Sequence, residues 1–157
     1  MKKLVLMAVV ALFGFTATAQ GFGAGVNVGL PIGDAGDVAS FNIGVDLNYL
    51  WEVSEDFAAG VTAGYSHNIL KSEFDAFDDV QFVPIAVRGA YSASDFTIGA
   101  DIGYGVGINE GNDGGFLWAP RVGDGISDST DIVLSYNNIS QDGSTWSTIN
   151  LGVNFAL

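Results

Sequence analysis

The sequence predicts an all-β fold, an eight-stranded antiparallel up-and-down transmembrane β-barrel. Three observations carry that expectation. Apolar residues alternate with small or polar ones at period two along nearly the whole chain past residue 20. The alternating runs are long, about nine to thirteen residues, where a tilted membrane strand needs about nine to eleven and a soluble strand averages about five or six. The connections between them alternate between tight turns and longer loops, the layout of outer-membrane barrels.

The runs can be taken in order. In Phe22–Leu30 the even positions are apolar and the odd ones are Gly or Asn. The second run sets Phe41, Ile43, Val45, Leu47, Tyr49 and Trp51 against Asn42, Gly44, Asp46 and Asn48. The third sets Phe57, Ala59, Val61, Ala63 and Tyr65 against Ala58, Gly60, Thr62, Gly64 and Ser66. Val83, Ile85, Val87 and Tyr91 oppose Pro84, Ala86, Arg88 and Ala90 in the fourth. The fifth runs from Phe96 to Ile108, its even positions apolar and its odd ones Thr97, Asp101 and glycines. The sixth is less regular, with Phe116, Trp118, Pro120 and Val122 opposite Leu117, Ala119, Arg121 and Gly123. The seventh is short, around Ile132, Leu134 and Tyr136. The eighth sets Ile149, Leu151, Val153 and Phe155 against Thr148, Asn150, Gly152 and Asn154. No segment has a convincing amphipathic helical period, and the spread of 22 glycines disfavours helices. Tight turns are expected at Ser54–Phe57, Ser94–Phe96 and Ser127–Asp131. Looser connections are expected at Pro31–Ser40, Leu70–Asp79, Asn109–Gly114 and Ser140–Thr145.

The amino-terminal end differs from the rest. Lys2 and Lys3 precede an apolar run from Leu4 to Phe15, and Ala17-Thr18-Ala19 fits a signal-peptidase site. The run is too short for a helical span of roughly twenty residues. Residues 1–19 are therefore expected to be a signal peptide and residues 20–157 one barrel domain. With no cysteine, disulfides, a lipoprotein anchor and thiol chemistry are excluded.

Beyond the leader, Lys71, Arg88 and Arg121 are the only basic residues, against 18 acidic ones. Nucleic-acid binding needs the reverse balance. Yet 48% of the chain is hydrophobic and the mean hydropathy is +0.34, which excludes a solvated polyanion. The period therefore has to decide which face meets which solvent. The non-apolar face is almost all Gly, Ala, Ser, Thr and Asn, suited to a narrow interior. The apolar face ends in aromatics: Tyr49, Trp51, Phe57, Tyr91, Phe96 and Phe155 toward the tight turns, Tyr65, Trp118 and Trp146 toward the loops. These are expected to form two interfacial girdles, with the apolar face turned to lipid.

Four charges fall on the inward face: Asp46, Arg88, Asp101 and Arg121. Buried charges are costly unless paired, so a lumen ion network is expected, structural or lining a constriction. Inward glycines on the third and fifth strands, among them Gly60, Gly64, Gly99, Gly103 and Gly105, would leave parts of the lumen unfilled. Glu73, Asp75, Asp78 and Asp79 with Phe74 and Phe77, and Glu110 with Asp113, make two acidic loops that could contact a cation or a partner. The spacing is not that of an EF-hand. The single histidine, His67, sits beside Ser66, but strand neighbours point to opposite faces, so no catalytic pair is expected and the chain is read as a non-enzyme. One histidine and no cysteine give no zinc or copper site, and no cofactor is expected.

Phe82-Val83-Pro84-Ile85 with Arg88 and Tyr91, and Ala119-Pro120-Arg121-Val122-Gly123 leading to Ser127-Asp128 and Leu134-Ser135-Tyr136, resemble the small porin-like outer-membrane barrel family of Bacteroidetes. The Ala19-Gln20 junction is similar to the cleavage region of that group. The resemblance spans residues 20–157 and implies a Gram-negative outer-membrane barrel with a structural or porin-like role. Ile149, Leu151, Val153, Phe155 and Leu157 resemble the last-strand signal read by the barrel assembly machinery, although the chain ends in Leu157 rather than an aromatic. The partners implied are outer-membrane lipid, lipopolysaccharide and that machinery. Oligomeric state is not legible. An alternative reading makes the acidic-aromatic loops a surface binding module.

Overall fold

The computed structural model describes residues 21–157; the leader assigned to residues 1–19 lies outside them. Eight strands close on themselves: β1 (Phe22–Ile32), β2 (Ala39–Glu52), β3 (Phe57–Leu70), β4 (Val80–Ala93), β5 (Phe96–Gly107), β6 (Gly115–Ser127), β7 (Thr130–Gln141) and β8 (Ser144–Ala156). Each pairs antiparallel with its neighbours in sequence, and β1 pairs with β8 from Gly23↔Ala156 to Ile32↔Ser147, which leaves no free edge. This is the up-and-down barrel that the alternation predicts.

The barrel is inside out relative to a soluble protein. Outward large apolar side chains are widely exposed, with Val45 at 47%, Ile85 at 55% and Ile102 at 53%. The buried positions include Asn42, Asn68, Asn150, Arg88 and Asp101. In water this arrangement would leave the apolar face unburied and gain little from the hydrophobic effect. In hydrocarbon the closed ladder satisfies the backbone and the apolar face meets its own kind.

Two connections differ from the sequence expectation. Ser140–Thr145 is not loose. The strands continue to Gln141 and Ser144, and Asp142-Gly143 alone makes the turn, with Gly143 at φ 81° supplying the left-handed residue. The β1–β2 connection is not plain loop either. It contains a five-residue helix, α1 (Asp34–Val38), lying against β8, β1 and β2. A helix this short has no period to detect. It holds through burial of Ala35 and a tether from the Thr145 backbone N–H to Asp34 Oδ2 at 3.4 Å. A 3-10 turn at Ser72–Phe74 shapes the β3–β4 loop.

The outward aromatics fall at both ends. Trp51, Phe57, Tyr91, Phe96 and Phe155 are exposed near the tight turns, and Tyr49 stacks edge-on between Phe22 and Trp51 at 4.6 and 4.8 Å. Tyr65 and Trp118 are exposed near the loops. Trp146 is the exception and corrects the girdle assignment. It pairs with Ile139 and turns into the barrel, 6.1 Å from the Phe82 ring. The odd positions of β8, among them Ile149, Leu151 and Phe155, point outward, so residue 146 is inward by parity. Its bulk suggested an interfacial role, but its register sets its face.

Candidate functional site in the barrel lumen

The lumen divides into three levels. At the loop half Phe82, Ala86, Leu117, Ala119 and Ile139 form a buried apolar cluster, with Val80 and Trp146 packed against it. Gly103 and Gly105 do not leave this level empty, as their lack of a side chain suggested. A Cβ at Gly105 would lie 2.6 Å from Ile139 Cδ1, and one at Gly103 would meet Ala86. The glycines are what lets larger neighbours in. Toward β2 and β3 an amide network continues the layer: Asn42 Nδ2 donates to Ser66 Oγ at 2.8 Å and Asn68 Oδ1 at 2.9 Å, and Asn68 Nδ2 donates to the Val80 carbonyl at 3.0 Å.

The four lumen charges sit together at the next level. Arg88 and Asp101 face each other across the β4–β5 ladder. The pair is bidentate, Nε to Oδ1 at 2.6 Å and Nη2 to Oδ2 at 2.8 Å. Asp46 Oδ2 lies 3.5 Å from Arg88 Nη1, an ion pair without a hydrogen bond. Asp46 is on β2, so Arg88 reaches it across β3. On β3 a Cβ at Gly64 would lie 3.1 Å from Asp46 Cβ, and one at Gly60 would run into the Tyr49 and Leu50 backbone. Arg121, paired with Gly99, sits two residues along from Asp101 and gives Nη1 to Asp101 Oδ2 at 3.3 Å. Asp101 thus holds both arginines, and Arg88 lies between two carboxylates. A chamber of about 80 Å³ beside this network, lined also by Ser135, Asn137 and Thr148, has room for a few waters.

Below the charges, toward the tight turns, the lumen widens into an open vestibule; the space there, about 970 Å³, extends over the rim past Tyr49, Trp51 and Phe155. Ala58, Ala90, Gly99 and Gly123 line it with almost no side chain, and Arg88 and Arg121 belong to its lining.

The loop acids are spread apart. Asp79 is engaged within the chain: its Oδ1 accepts the Leu70 backbone N–H at 2.9 Å and its Oδ2 lies 2.8 Å from His67 Nε2. Glu73 is on the 3-10 turn, Asp75 and Asp78 are exposed beyond it, and Glu110 and Asp113 lie on the β5–β6 connection. Among the described residues no three His, Asp or Glu side chains are grouped so as to hold a metal ion. His67 points outward, with Nδ1 2.9 Å from Tyr65 Oη, which also donates to Gln81 Oε1 at 3.0 Å. Ser66 is inside the barrel with Asn42 and does not meet His67. The Tyr65–His67–Asp79 chain was not legible in sequence, because Asp79 reaches His67 across the β3–β4 loop.

The Leu70 amide, followed by His67, holds the Asp79 carboxyl below its usual value of 3.8. A depressed carboxylate stabilises the fold fully above its unfolded value and loses that contribution as pH falls through the lower folded value. The clasp between Leu70 and the loop is therefore expected to persist at pH 4 and release below it. The amide shift of Leu70, followed by NMR against pH, should titrate with a midpoint below 3.8. A midpoint at or above 3.9, or an unchanged titration in Asp79→Asn, counts against the clasp.

No family model matches the chain, and no curated protein matches it. Solved structures do match. The crystal structure of Ail, the attachment invasion locus protein of Yersinia pestis, is similar with a TM-score of 0.61 at 13% identity, covering 86% of this chain and 97% of that one. A de novo designed transmembrane β-barrel gives 0.59 at 13% identity over 87% and 95%. The outer membrane enzyme PagL gives 0.56 at 12% identity over 86% and 99%.

The chain has the fold of small outer-membrane barrels. At such identities the likeness extends to the fold alone, and it includes an enzyme as well as a protein named for attachment.

Proposed function

We propose that this protein is an integral outer-membrane barrel, exported by its leader, with a structural or porin-like role and a lumen that passes little or nothing at rest. The observation that carries this reading is the inverted barrel: a continuous apolar exterior on eight closed strands, with charge confined to the lumen and the two ends. The apolar cluster at the loop half and the ion network beneath it support the closed-lumen reading. The residues that resemble the Bacteroidetes porin-like family support reading it as a member of that group. The last strand serves as its assembly signal, and lipopolysaccharide meets the acidic loops through divalent cations. We read the chain as a non-enzyme.

The protein is expected to fractionate with outer membrane and to show heat-modifiable gel mobility. Recovery in a soluble fraction without detergent would sink the reading. In planar bilayers the wild type should show little steady conductance, and Arg88→Ala combined with Asp46→Asn should show more. A large, stable wild-type pore contradicts the closed-lumen reading while leaving the barrel intact.

A further inference from the structure

The vestibule at the tight-turn end has an ordered polarity of charge. Its inner end carries Arg88 and Arg121. Glu52, the last residue of β2, and Asp131, the second of β7, line it nearer the mouth. Arg88 is held bidentately by Asp101, with Asp46 3.5 Å from its Nη1, whereas Arg121 has a single hydrogen bond, Nη1 to Asp101 at 3.3 Å, and four further N–H donors. Two amides in the same lining are also unspent. Among the described residues the side chains of Asn48 and Asn154 make no hydrogen bond. Both lean over bare β1 backbone: a Cβ at Gly23 would lie 2.8 Å from Asn48 Oδ1, and one at Gly25 would lie 2.5 Å from Asn154 Oδ1. The opposite wall is Ala58, Ala90, Gly99 and Gly123, which keeps the space open.

We propose that this vestibule is a binding site for a small zwitterionic solute of the amino-acid or short-peptide class, with its acid end on Arg121 and its ammonium toward Asp131 and Glu52. The donors that Arg121 has left over select a carboxylate, which a guanidinium meets with charge-assisted hydrogen bonds. The acidic mouth disfavours a solute that is only an anion and favours one whose other end is cationic. Asn48 and Asn154 offer donors and acceptors suited to a peptide or amide group between the two ends. The space is wide at the mouth and open over the rim, so binding in the millimolar range is expected. The site needs no conduction and stands apart from the question of a pore.

The test uses the folded barrel in detergent micelles or nanodiscs, with glycylglycine as the probe. Saturable NMR shifts are expected at Arg121 Nε–H and at the Gly99 and Gly123 amides. N-acetyl-glycylglycine, which lacks the ammonium, and glycylglycine amide, which lacks the carboxylate, should each bind several-fold more weakly. Arg121→Gln should weaken glycylglycine about tenfold or more, the loss of a hydrogen-bonded charge. Asp142→Asn, at the far end of the barrel, should leave binding unchanged. If Arg121→Gln does not fold, Asn48→Ala with Asn154→Ala keeps the arginine and should still weaken binding. No saturable shift with glycylglycine, equal binding of either capped peptide, or undiminished binding by the asparagine double variant overturns the proposal.

Discussion

Val45→Arg and Ile102→Arg each destabilise the barrel by about 2–4 kcal/mol when folding is measured in lipid. Both residues sit mid-strand on the outward face and are about half exposed, Val45 at 47% and Ile102 at 53%. In water an exposed arginine on a strand costs little. In hydrocarbon it must drag water or headgroups inward, or stretch toward the interface. The effect therefore measures the environment of the face and not its packing. Gly123→Ala, on the lumen side, is the control. Its added methyl would meet nothing closer than Val133 Cγ2 at 3.5 Å, so it should stay within about 0.5 kcal/mol of wild type. Urea-dependent refolding into lipid vesicles reads all three. Harmless arginines at both outward positions would mean that the apolar face does not meet lipid.

The second large effect is in the lumen. Arg88→Ala should cost about 3–5 kcal/mol, because it strands buried carboxylates rather than because the ion pair is itself strong. The geometry also names the compensating change. Asp101 is the bidentate partner, but it also holds Arg121. Neutralising Asp101 along with Arg88 leaves Asp46 without its ion-pair partner and Arg121 without its hydrogen-bonded one. Neutralising Asp46 instead leaves the Asp101–Arg121 pair in contact. Arg88→Ala with Asp46→Asn should therefore be more stable than Arg88→Ala alone, and more stable than Arg88→Ala with Asp101→Asn. Equal stability of all three would show that the four charges do not act as one network. Pairing of this kind is measured by comparing single and double variants under one denaturant series.

The chain's alternation was a reliable guide to face, because a pleated strand reverses its side chains at every residue. It was poor at short non-repeating pieces. Helix α1 spans five residues and has no period, and Asp142-Gly143 makes a two-residue turn where the sequence predicts a looser Ser140–Thr145 connection. Trp146 shows the limit of reading by residue type. A tryptophan near a strand end is typical of an interface, but this one is set inward by parity and packs on Phe82.

By itself, the sequence determined that there are eight long alternating strands, which face of each is apolar, and that Asp46, Arg88, Asp101 and Arg121 share the inner face. Local periodicity suffices for that, since it depends only on the pleat. Only the tertiary structure decided at what height each inward residue sits, because height depends on the stagger between strands once the sheet closes. That stagger sets Arg88 opposite Asp101, brings Asp46 to the same arginine across β3, and leaves Arg121 with donors to spare. It also gathers the large apolar side chains at the loop half and the glycines and alanines of β3 to β6 below them. The result is a lumen filled at one end and open at the other, which no single strand encodes.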